Sequence, residues 1–534
     1  MASWLRDCPA MRTVSSSIGM EEIELKLALP GADPSTLLQR ATRVPILARR
    51  KRTQQHLHNV YFDTPDLTLR GQRIALRLRR VGDAASPHWL QTLKTAGRAD
   101  SALSQRGEWE APVPGAKLSL TALNKTPWPS IDADGSVFRI LAPVFETNFE
   151  RNTWLVRRRD GSVVEVALDI GRIVAGERST PLCELELELK AGNQSALFDI
   201  ASEIASHVAV LPATISKAER GYALAHDESG AALRAAAPAL PSRLPIAAAA
   251  QRVLFEMFSQ FTSNLGALLI SDDPEVVHQA RVGWRRFKSA RRLFSPVLAL
   301  ESAPSVLPLR ALLTCLGQLR DLDVASTETL PALAEAYVAA DPRRAEVWQH
   351  TMQSLTQAAT LQRKAVRYAL QDPTVGACLL ATTQWLESLT ASDADVGTAG
   401  ANPASLQRWT RGRILRLRKQ LKLARSKVEG PEQEHRVRIL AKRMRYNLDA
   451  LFSLLPAKRA QRWREQALQL QTNLGASRDA MQAATLVTEL GLDRGLAEFL
   501  RGLACAQKAQ RHPLHRDALT PTPQARCGVV KVSS

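Results

Sequence analysis

Glu22, Glu24 and Lys26 stand at positions i, i+2 and i+4 near the start of a 534-residue chain. On an extended strand these three side chains share one face, and Ile23, Leu25 and Leu27 share the other. The arrangement recurs downstream. Arg77 and Arg79 alternate with Leu76 and Leu78, Glu108 and Glu110 flank Trp109, and Glu165, Ala167 and Asp169 fall on one face. Glu184, Glu186 and Glu188 alternate with Leu185, Leu187 and Leu189. One such strand alone reads most simply as the solvated face of an antiparallel sheet. The set reads differently, because its charges are sorted by strand, and a water-facing surface gains more from mixed signs. Sorted acids and bases converging inside a barrel would line a polar tunnel. Carboxylates there can hold Mg²⁺ or Mn²⁺ through oxygen ligands. Arginine and lysine can clamp phosphate oxygens. Phosphoryl transfer needs both parts.

A second constellation is helical. His278, Arg281, Arg285, Lys288 and Arg292 are spaced 3, 4, 3 and 4, which places them on one stripe of a helix. His435, Arg438, Lys442 and Arg445 repeat it. Phe287 and Phe294, or Met444 and Leu451, fall on the opposite side and should face a core. LGQLRDLDV (316–324) and LGASRDAMQ (474–482) follow the two stripes at nearly the same offset, so a helical unit is duplicated. Asp321 and Asp479 in these segments are expected to pair locally with an arginine. A single basic stripe is usually a solvated face. Two at corresponding positions favour function, since like charges at i,i+4 repel by a few tenths of a kcal/mol and call for an anionic partner. A contact between the leading histidines and phosphate oxygens fits this pattern.

The elements that must position these groups divide the chain. EIELKLAL, IALRLRRV, HWLQTLKT, RGEWEAPV, NTWLVRRR, VVEVALDIG and CELELELK carry the two-residue period of strands. Residues 31–43 and 193–208 read as helices, the first started by Asp33, Pro34 and Ser35. The Pro/Ala/Ser-rich stretch 227–245 breaks all periodicity, as a linker does. From 246 to 510 apolar residues recur at helical spacing. The expected architecture is therefore α+β: an antiparallel β-barrel over 20–226, then an all-α, duplicated helical bundle over 246–510. Residues 1–19 show no pattern and are expected to be disordered, with Met20 a candidate start. Residues 511–534 are expected to be a flexible tail.

Composition bounds the partners. Seventy-one Lys and Arg against 52 Asp and Glu give a net charge of +19 and a pI near 10.1. More than half of that excess lies in 241–510. Such a balance points to a polyanion: nucleic acid, an anionic membrane surface or polyphosphate. Cys8, Cys183, Cys315, Cys378, Cys505 and Cys527 are scattered, with no ligand spacing for zinc or iron–sulfur and a pattern that suits a reducing compartment. The opening MASWLRDCPAMRTVSSS has no apolar core of a signal peptide. No uncharged apolar run reaches the ~18 residues of a membrane span. The cytoplasm is the expected location.

The first half resembles the CYTH superfamily, the triphosphate tunnel metalloenzymes. EIELK matches the ExExK signature, and YFDTPDLTLR (61–70), ALRLRR (75–80), LKT (93–95), RGEWE (106–110), EVALDIG (165–171), CELELELK (183–190) and SKAERGY (216–222) follow in the family's order. The resemblance implies an eight-stranded antiparallel tunnel that binds a triphosphate end-on and hydrolyses it by metal-assisted attack of water on the terminal phosphorus. Carried over residue by residue, Glu22, Glu24 and Lys26 look catalytic. Glu22 and Glu24 look like metal-side carboxylates, with Asp169, Glu184 and Glu186 opposite. Lys26, Arg77, Arg79, Lys94, Arg151, Lys217 and Arg220 look like substrate binders, and Glu108, Glu110 and Glu188 join them at the margin. The cofactor implied is Mg²⁺ or Mn²⁺.

The family also holds class IV adenylate cyclases and thiamine triphosphatases. Trp109 and Trp154 read better as packing residues than as stacking platforms, so inorganic triphosphate is the favoured substrate. The second half resembles the CHAD domain by HxxRVxxRR, HxxRIxxKRxRY and the two LGxxRD segments. That resemblance implies a pseudo-twofold helical bundle binding inorganic polyphosphate, through His278, Arg281, Arg285 and Lys288 and through His435, Arg438, Lys442 and Arg445. It also makes polyphosphate granules a place to look for the protein. A non-catalytic polyphosphate binder is the alternative. A nucleic-acid binder is weakened by the scarcity of aromatics for base stacking.

Overall fold

The computed structural model describes residues 20–509 except 32, 83–86, 96, 98–100, 299–301, 392–402, 428–429 and 474. The disorder expected for 1–19 and the tail expected for 511–534 lie outside the described residues. The chain forms two compact units: residues 1–317, 363–410 and 450–454 in one, and 318–362, 411–449 and 455–534 in the other.

The first unit holds nine strands: β1 Met20–Ala28, β2 Arg52–Asp63, β3 Ala75–Val81, β4 His88–Lys94, β5 Leu103–Val113, β6 Ala142–Arg157, β7 Val163–Ala175, β8 Arg178–Ala191 and β9 Leu211–Pro212. They run in the order β5-β4-β3-β2-β6-β7-β8-β1-β9, all pairs antiparallel, and β5 also pairs with β1. That last pairing closes an eight-stranded barrel, with β9 as a two-residue addition beside β1. Closure leaves no free edge among the eight, so every strand can carry charge on one face without exposing its backbone.

Strand β2 is the one the alternation does not reveal. Its inward positions Leu57, Asn59 and Tyr61 mix apolar with polar, and its first five residues are exposed, so no two-residue period shows. Strand β6 also begins ten residues before the expected segment at Asn152, because its outer face is exposed at Glu146, Asn148 and Glu150.

Helices of nine residues or more are α1 Pro34–Thr42, α2 Ser195–Ala205, α3 Lys217–Ala225, α4 Ile246–Ala267, α5 Pro274–Phe294, α6 Arg310–Val324, α7 Pro342–Ala369, α8 Pro373–Ala391, α9 Pro403–Arg425, α10 Pro431–Ala450, α11 Ala457–Asn473, α12 Ala476–Glu489 and α13 Arg494–Ala509. Helix α1 starts as its residues dictate: Asp33 accepts from the Ser35 N–H and Pro34 occupies the first turn.

The barrel is inverted relative to a soluble sheet, polar within and apolar without. Leu25, Leu27, Val166, Leu185 and Leu187 point outward and are buried under Leu37 of α1 and Leu197, Ile200 and Ile204 of α2. Trp154 joins this outer core, so its burial is packing. Full burial of each leucine contributes roughly 1.5–3 kcal/mol, which offsets the cost of a charged interior. Inside, one end is apolar: Leu57, Tyr61, Phe145, Phe149, Ile173 and Leu182 cluster with Tyr222 and Leu224 of α3. Helix α3 therefore plugs that end.

In the first unit α5 packs on α4 through Phe258, Phe261, Trp284 and Phe287. The stretch 227–245 is tied down rather than loose. Asn264 exchanges two 3.0 Å hydrogen bonds with the Leu233 backbone, and Arg286 donates to the Ala236 carbonyl at 2.6 Å.

Candidate active site

Strand register brings the charged residues together. On β1 and β5, Glu22 pairs with Arg106 and Glu24 with Ser104; on β4 and β5, Lys94 pairs with Glu108. Lys94 Nζ lies 2.7 Å from Glu22 and 3.2 Å from Glu108. Arg106 reaches Glu24 at 2.6 Å and Glu22 at 3.5 Å. Ser104 Oγ donates to Glu24 at 3.0 Å, and the Lys26 ammonium also bonds to Glu24. Burial opposes the charge on Glu24, but Lys26, Arg106 and Lys94 outweigh it and hold the carboxyl far below the usual range. Glu22 goes the other way. Burial, with Glu24 and Glu108 nearby, raises it against the pull of Lys94 and Arg106. Glu108 is brought down to about 2, with Lys94 and Arg77 overcoming its burial. Two neighbouring carboxylates with opposite shifts form a pair suited to different roles.

A second group spans β6, β7, β8 and α3. Register sets Arg151 opposite Asp169 and Asp169 opposite Glu184. Arg151 forks onto Asp169 at 2.8 and 2.7 Å and reaches Glu186 at 2.6 Å. Lys217 lies 2.7 Å from Asp169 and 2.8 Å from Glu186, and also bonds Glu184. Arg220, one turn on, reaches Glu184 at 3.1 Å. Helix α3 can aim these two cations because a capping box fixes its start: Ser216 accepts from the Glu219 N–H and Glu219 accepts from the Ser216 N–H. Carboxylate oxygens of Asp169, Glu184 and Glu186 all lie within 4.8 Å of one another. Three hard oxygen donors at that separation suit Mg²⁺ or Mn²⁺.

The third group is the basic wall of β3. Arg77 stands 3.6 Å from Glu108, and Arg79 stands 3.8 Å from Glu110 and donates to Asn59 at 2.9 Å. Burial, with Arg77 and Arg151 close by, pulls Arg79 below its ordinary value to about 10. The Arg77 Nε is buried with no hydrogen-bond partner. Crowded guanidiniums with an unsatisfied donor favour a bound polyanion.

Every tunnel residue named from the sequence thus faces the barrel interior or its plugged end, but not in one cluster. Glu22 and Glu24 stand with Lys94, Arg106 and Lys26, while Asp169, Glu184 and Glu186 gather around Lys217 and Arg151. Glu188 sits apart, 2.5 Å from Lys190. Arg106, which shares the i, i+2, i+4 face of Glu108 and Glu110, also joins the site, and that alternation is the signal that marks it. Ser104, Asn59 and Tyr61 gave no signal, being uncharged.

Two of the quoted motifs turn out to hold the frame. Asp63 of YFDTPDLTLR accepts from the backbone of Thr64, Leu69 and Arg70 at 2.7–2.9 Å. Tyr222 of SKAERGY donates to the same carboxylate at 2.8 Å, tying the plug helix to that turn.

The two basic stripes lie in different units. On α5, His278 and Arg281 are half-buried and Arg285, Lys288 and Arg292 exposed; on α10, His435 is exposed and Arg438, Lys442 and Arg445 half-buried. Phe287, Phe294, Met444 and Leu451 are buried opposite them. Gly317, the last residue of its stretch of the first unit, lies against the stripe of that unit: Arg281 Nη1 is 2.9 Å from where a Cβ on Gly317 would be. Burial raises the Asp479 carboxyl, partly countered by Arg438, Arg478 and Lys442. Asp479 therefore faces the stripe as well as its neighbour Arg478. Arg320 pairs with Glu328 at 2.7 Å.

A charged antiparallel tunnel followed by a basic, duplicated helical array is a two-domain arrangement, and known proteins recognise both parts. Residues 20–222 match the CYTH domain and residues 252–488 match the CHAD domain. The chain is a CYTH domain joined to a CHAD domain. It is 35% identical over 208 residues to an inorganic triphosphatase of Haemophilus influenzae; the match takes in 39% of this chain and 56% of that protein, so it spans little more than half of the relative's length. Among solved structures, the CHAD domain of the plant Ricinus communis is 26% identical, covering 53% of this chain and 93% of its own, with a TM-score of 0.44. The Hippeastrum protein HpAC1, described as an adenylyl cyclase candidate with a dominant triphosphatase activity, is 19% identical, covering 38% and 95%, with a TM-score of 0.29. No helix among the described residues is long and apolar enough to cross a membrane.

Proposed function

We propose that the tunnel hydrolyses inorganic triphosphate with a divalent cation and that the helical domain binds inorganic polyphosphate. The observation that carries the first part is the meeting of three carboxylates, Asp169, Glu184 and Glu186, with Arg151, Lys217, Arg77 and Arg79 in one enclosed tunnel. The relative's name points the same way for the matched half. The three carboxylates fit Mg²⁺ or Mn²⁺, which when bound would neutralise phosphate charge and promote attack by water. Arg77, Arg79 and Arg151 clamp phosphate oxygens and spread the charge that develops on them. In this reading Glu22, whose carboxyl is raised by burial, takes the proton of the attacking water, while Lys26 and Arg106 keep Glu24 ionised.

The tunnel favours an inorganic chain over a nucleotide. Tyr61 is stacked on Phe145 with centroids 4.5 Å apart, and Phe149 lies under Arg151 and Lys217. Neither ring presents a face for a base or thiazolium.

The test is phosphate release from triphosphate, long-chain polyphosphate, ATP and thiamine triphosphate, each with Mg²⁺ or Mn²⁺, against Glu24→Ala. Triphosphate should be preferred and the variant inactive. Equal release by the variant refutes the enzymatic reading and leaves a polyphosphate-binding protein. For the helical domain, short polyphosphate should displace DNA at fixed salt. Removing Arg438 and Lys442 should weaken polyphosphate binding and flatten its salt dependence.

A further inference from the structure

Helix α8 belongs to the CHAD match, yet it completes the tunnel domain. Its Leu380, fully buried, is part of the outer core formed by β1, β7, β8, α1 and α2, and Ala377 packs against the same core. At Gly376 the approach is backbone to backbone: a Cβ there would lie 2.1 Å from the Val210 carbonyl oxygen, just before β9. One turn beyond Thr383, α8 delivers a carboxylate. Glu387 is only 6% exposed and accepts a 2.7 Å hydrogen bond from the Ser101 hydroxyl, itself 8% exposed. A buried carboxylate bonded to a hydroxyl is a strong, directional contact, and Ser101 is held on its other side by the Leu103 carbonyl, to which its Oγ lies at 3.0 Å.

Ser101 stands at the entrance to β5, next to the residues that touch the site. Its Oγ accepts from the Leu103 N–H at 3.1 Å. The Lys26 N–H donates to the Ala102 carbonyl at 3.0 Å. Ser104 then donates to Glu24 at 3.0 Å, and Arg106, two residues on, reaches Glu24 at 2.6 Å. The turn held by Glu387 therefore sets how β5 lies on β1, where Glu24 and Lys26 stand.

We propose that Glu387 is a positioning residue for the tunnel: through Ser101 it fixes the register of β5 on β1 and thereby the placement of Glu24. This rests on the triphosphatase reading above. The CHAD domain then carries part of the catalytic framework in addition to its own ligand surface.

The experiment compares wild type, Ser101→Ala, Glu387→Gln and the double variant in the full chain. Phosphate release from triphosphate is measured at saturating and limiting substrate, together with hydrogen exchange of the amides of 101–106. Each single variant should lower kcat about tenfold with little change in KM, since small misplacements of reacting groups are costly. The double variant should lose no more than the worse single one, and exchange at 101–106 should accelerate while β6 and β7 stay protected. Losses that multiply, or unchanged exchange at 101–106, overturn the proposal. So does a fall in melting temperature with kcat and local exchange unaltered. If wild type releases no phosphate, the triphosphatase reading fails on its own, and the exchange data alone decide whether Glu387 positions β5.

Discussion

Replacing Lys217 by methionine should separate the two jobs its ammonium performs. Lys217 is buried and bonded to Asp169, Glu184 and Glu186, with Arg151 also on Asp169 and Glu186 and Arg220 also on Glu184. Burial works against its charge, but the three carboxylates raise its pKa far above that of free lysine. Methionine keeps an unbranched stem, one atom shorter, and loses the charge. Three carboxylates are then left with the guanidiniums of Arg151 and the half-buried Arg220, and breaking a buried ion pair on one side costs about 3–5 kcal/mol. For a domain of this size that corresponds to a melting-temperature drop of roughly 6–20 °C.

The pH dependence has a definite sign. Burial opposes the charge on Glu186, but Lys217, Arg151 and Lys26 overcome it and hold the carboxyl well below its ordinary value. A depressed carboxylate stabilises the fold above its unfolded pKa, and that contribution is lost as pH falls through the folded one. The gap between wild type and variant should therefore be widest between neutral pH and about pH 10, begin to shrink below about pH 5, and close only as pH falls through the depressed folded value. A divalent cation should restore the variant more than it shifts wild type, since in wild type it competes with the ammonium. At a hundredfold excess over its Kd the gain is about 2.7 kcal/mol. Differential scanning fluorimetry across pH, with and without Mn²⁺, reads all of this. A variant as stable as wild type at pH 8, or one that Mn²⁺ leaves unmoved, would refute the account of the cluster.

Arg106→Ala leaves Glu22 and Glu24 sharing Lys94 and Lys26 alone, and should lower kcat/KM for triphosphate about a hundredfold; a loss under about threefold would remove Arg106 from the site. Because burial raises Glu22, activity should fall on acidification with a limb above the ordinary glutamate range, and Glu22→Gln should abolish that limb in a pH–rate profile. Tyr222→Phe deletes the bond from the plug helix to Asp63 and should cost about 1–3 kcal/mol in denaturant unfolding. KM should be unchanged, and a rise in KM would instead place Tyr222 in the site.

The alternation of Glu22, Glu24 and Lys26 with leucines was legible because a strand has a period of two and a closed barrel has one inside and one outside. The same period marks β3, β5, β7 and β8. It fails at β2, whose inward face mixes Leu57, Asn59 and Tyr61, since the barrel changes from charged to apolar toward the α3 plug. The duplicated stripes were legible through helical spacing, and their opposite faces are buried as that spacing requires. Which carboxylates sit together was not legible. Residues on β7, β8 and α3 meet only through register and through the capped start of α3, and pairing between strands leaves no trace in the order of the chain. The contact of Glu387 with Ser101 belongs to the same class, joining residues 286 positions apart.

On the alternating strands the sequence by itself determined which residues share the charged face and the sign of their charge, because side-chain direction follows from local periodicity. Only the tertiary structure decided how those charges are partnered, which carboxylates stay ionised and which helix completes the wall. Those depend on distances of a few ångströms between segments that the chain brings together only by folding.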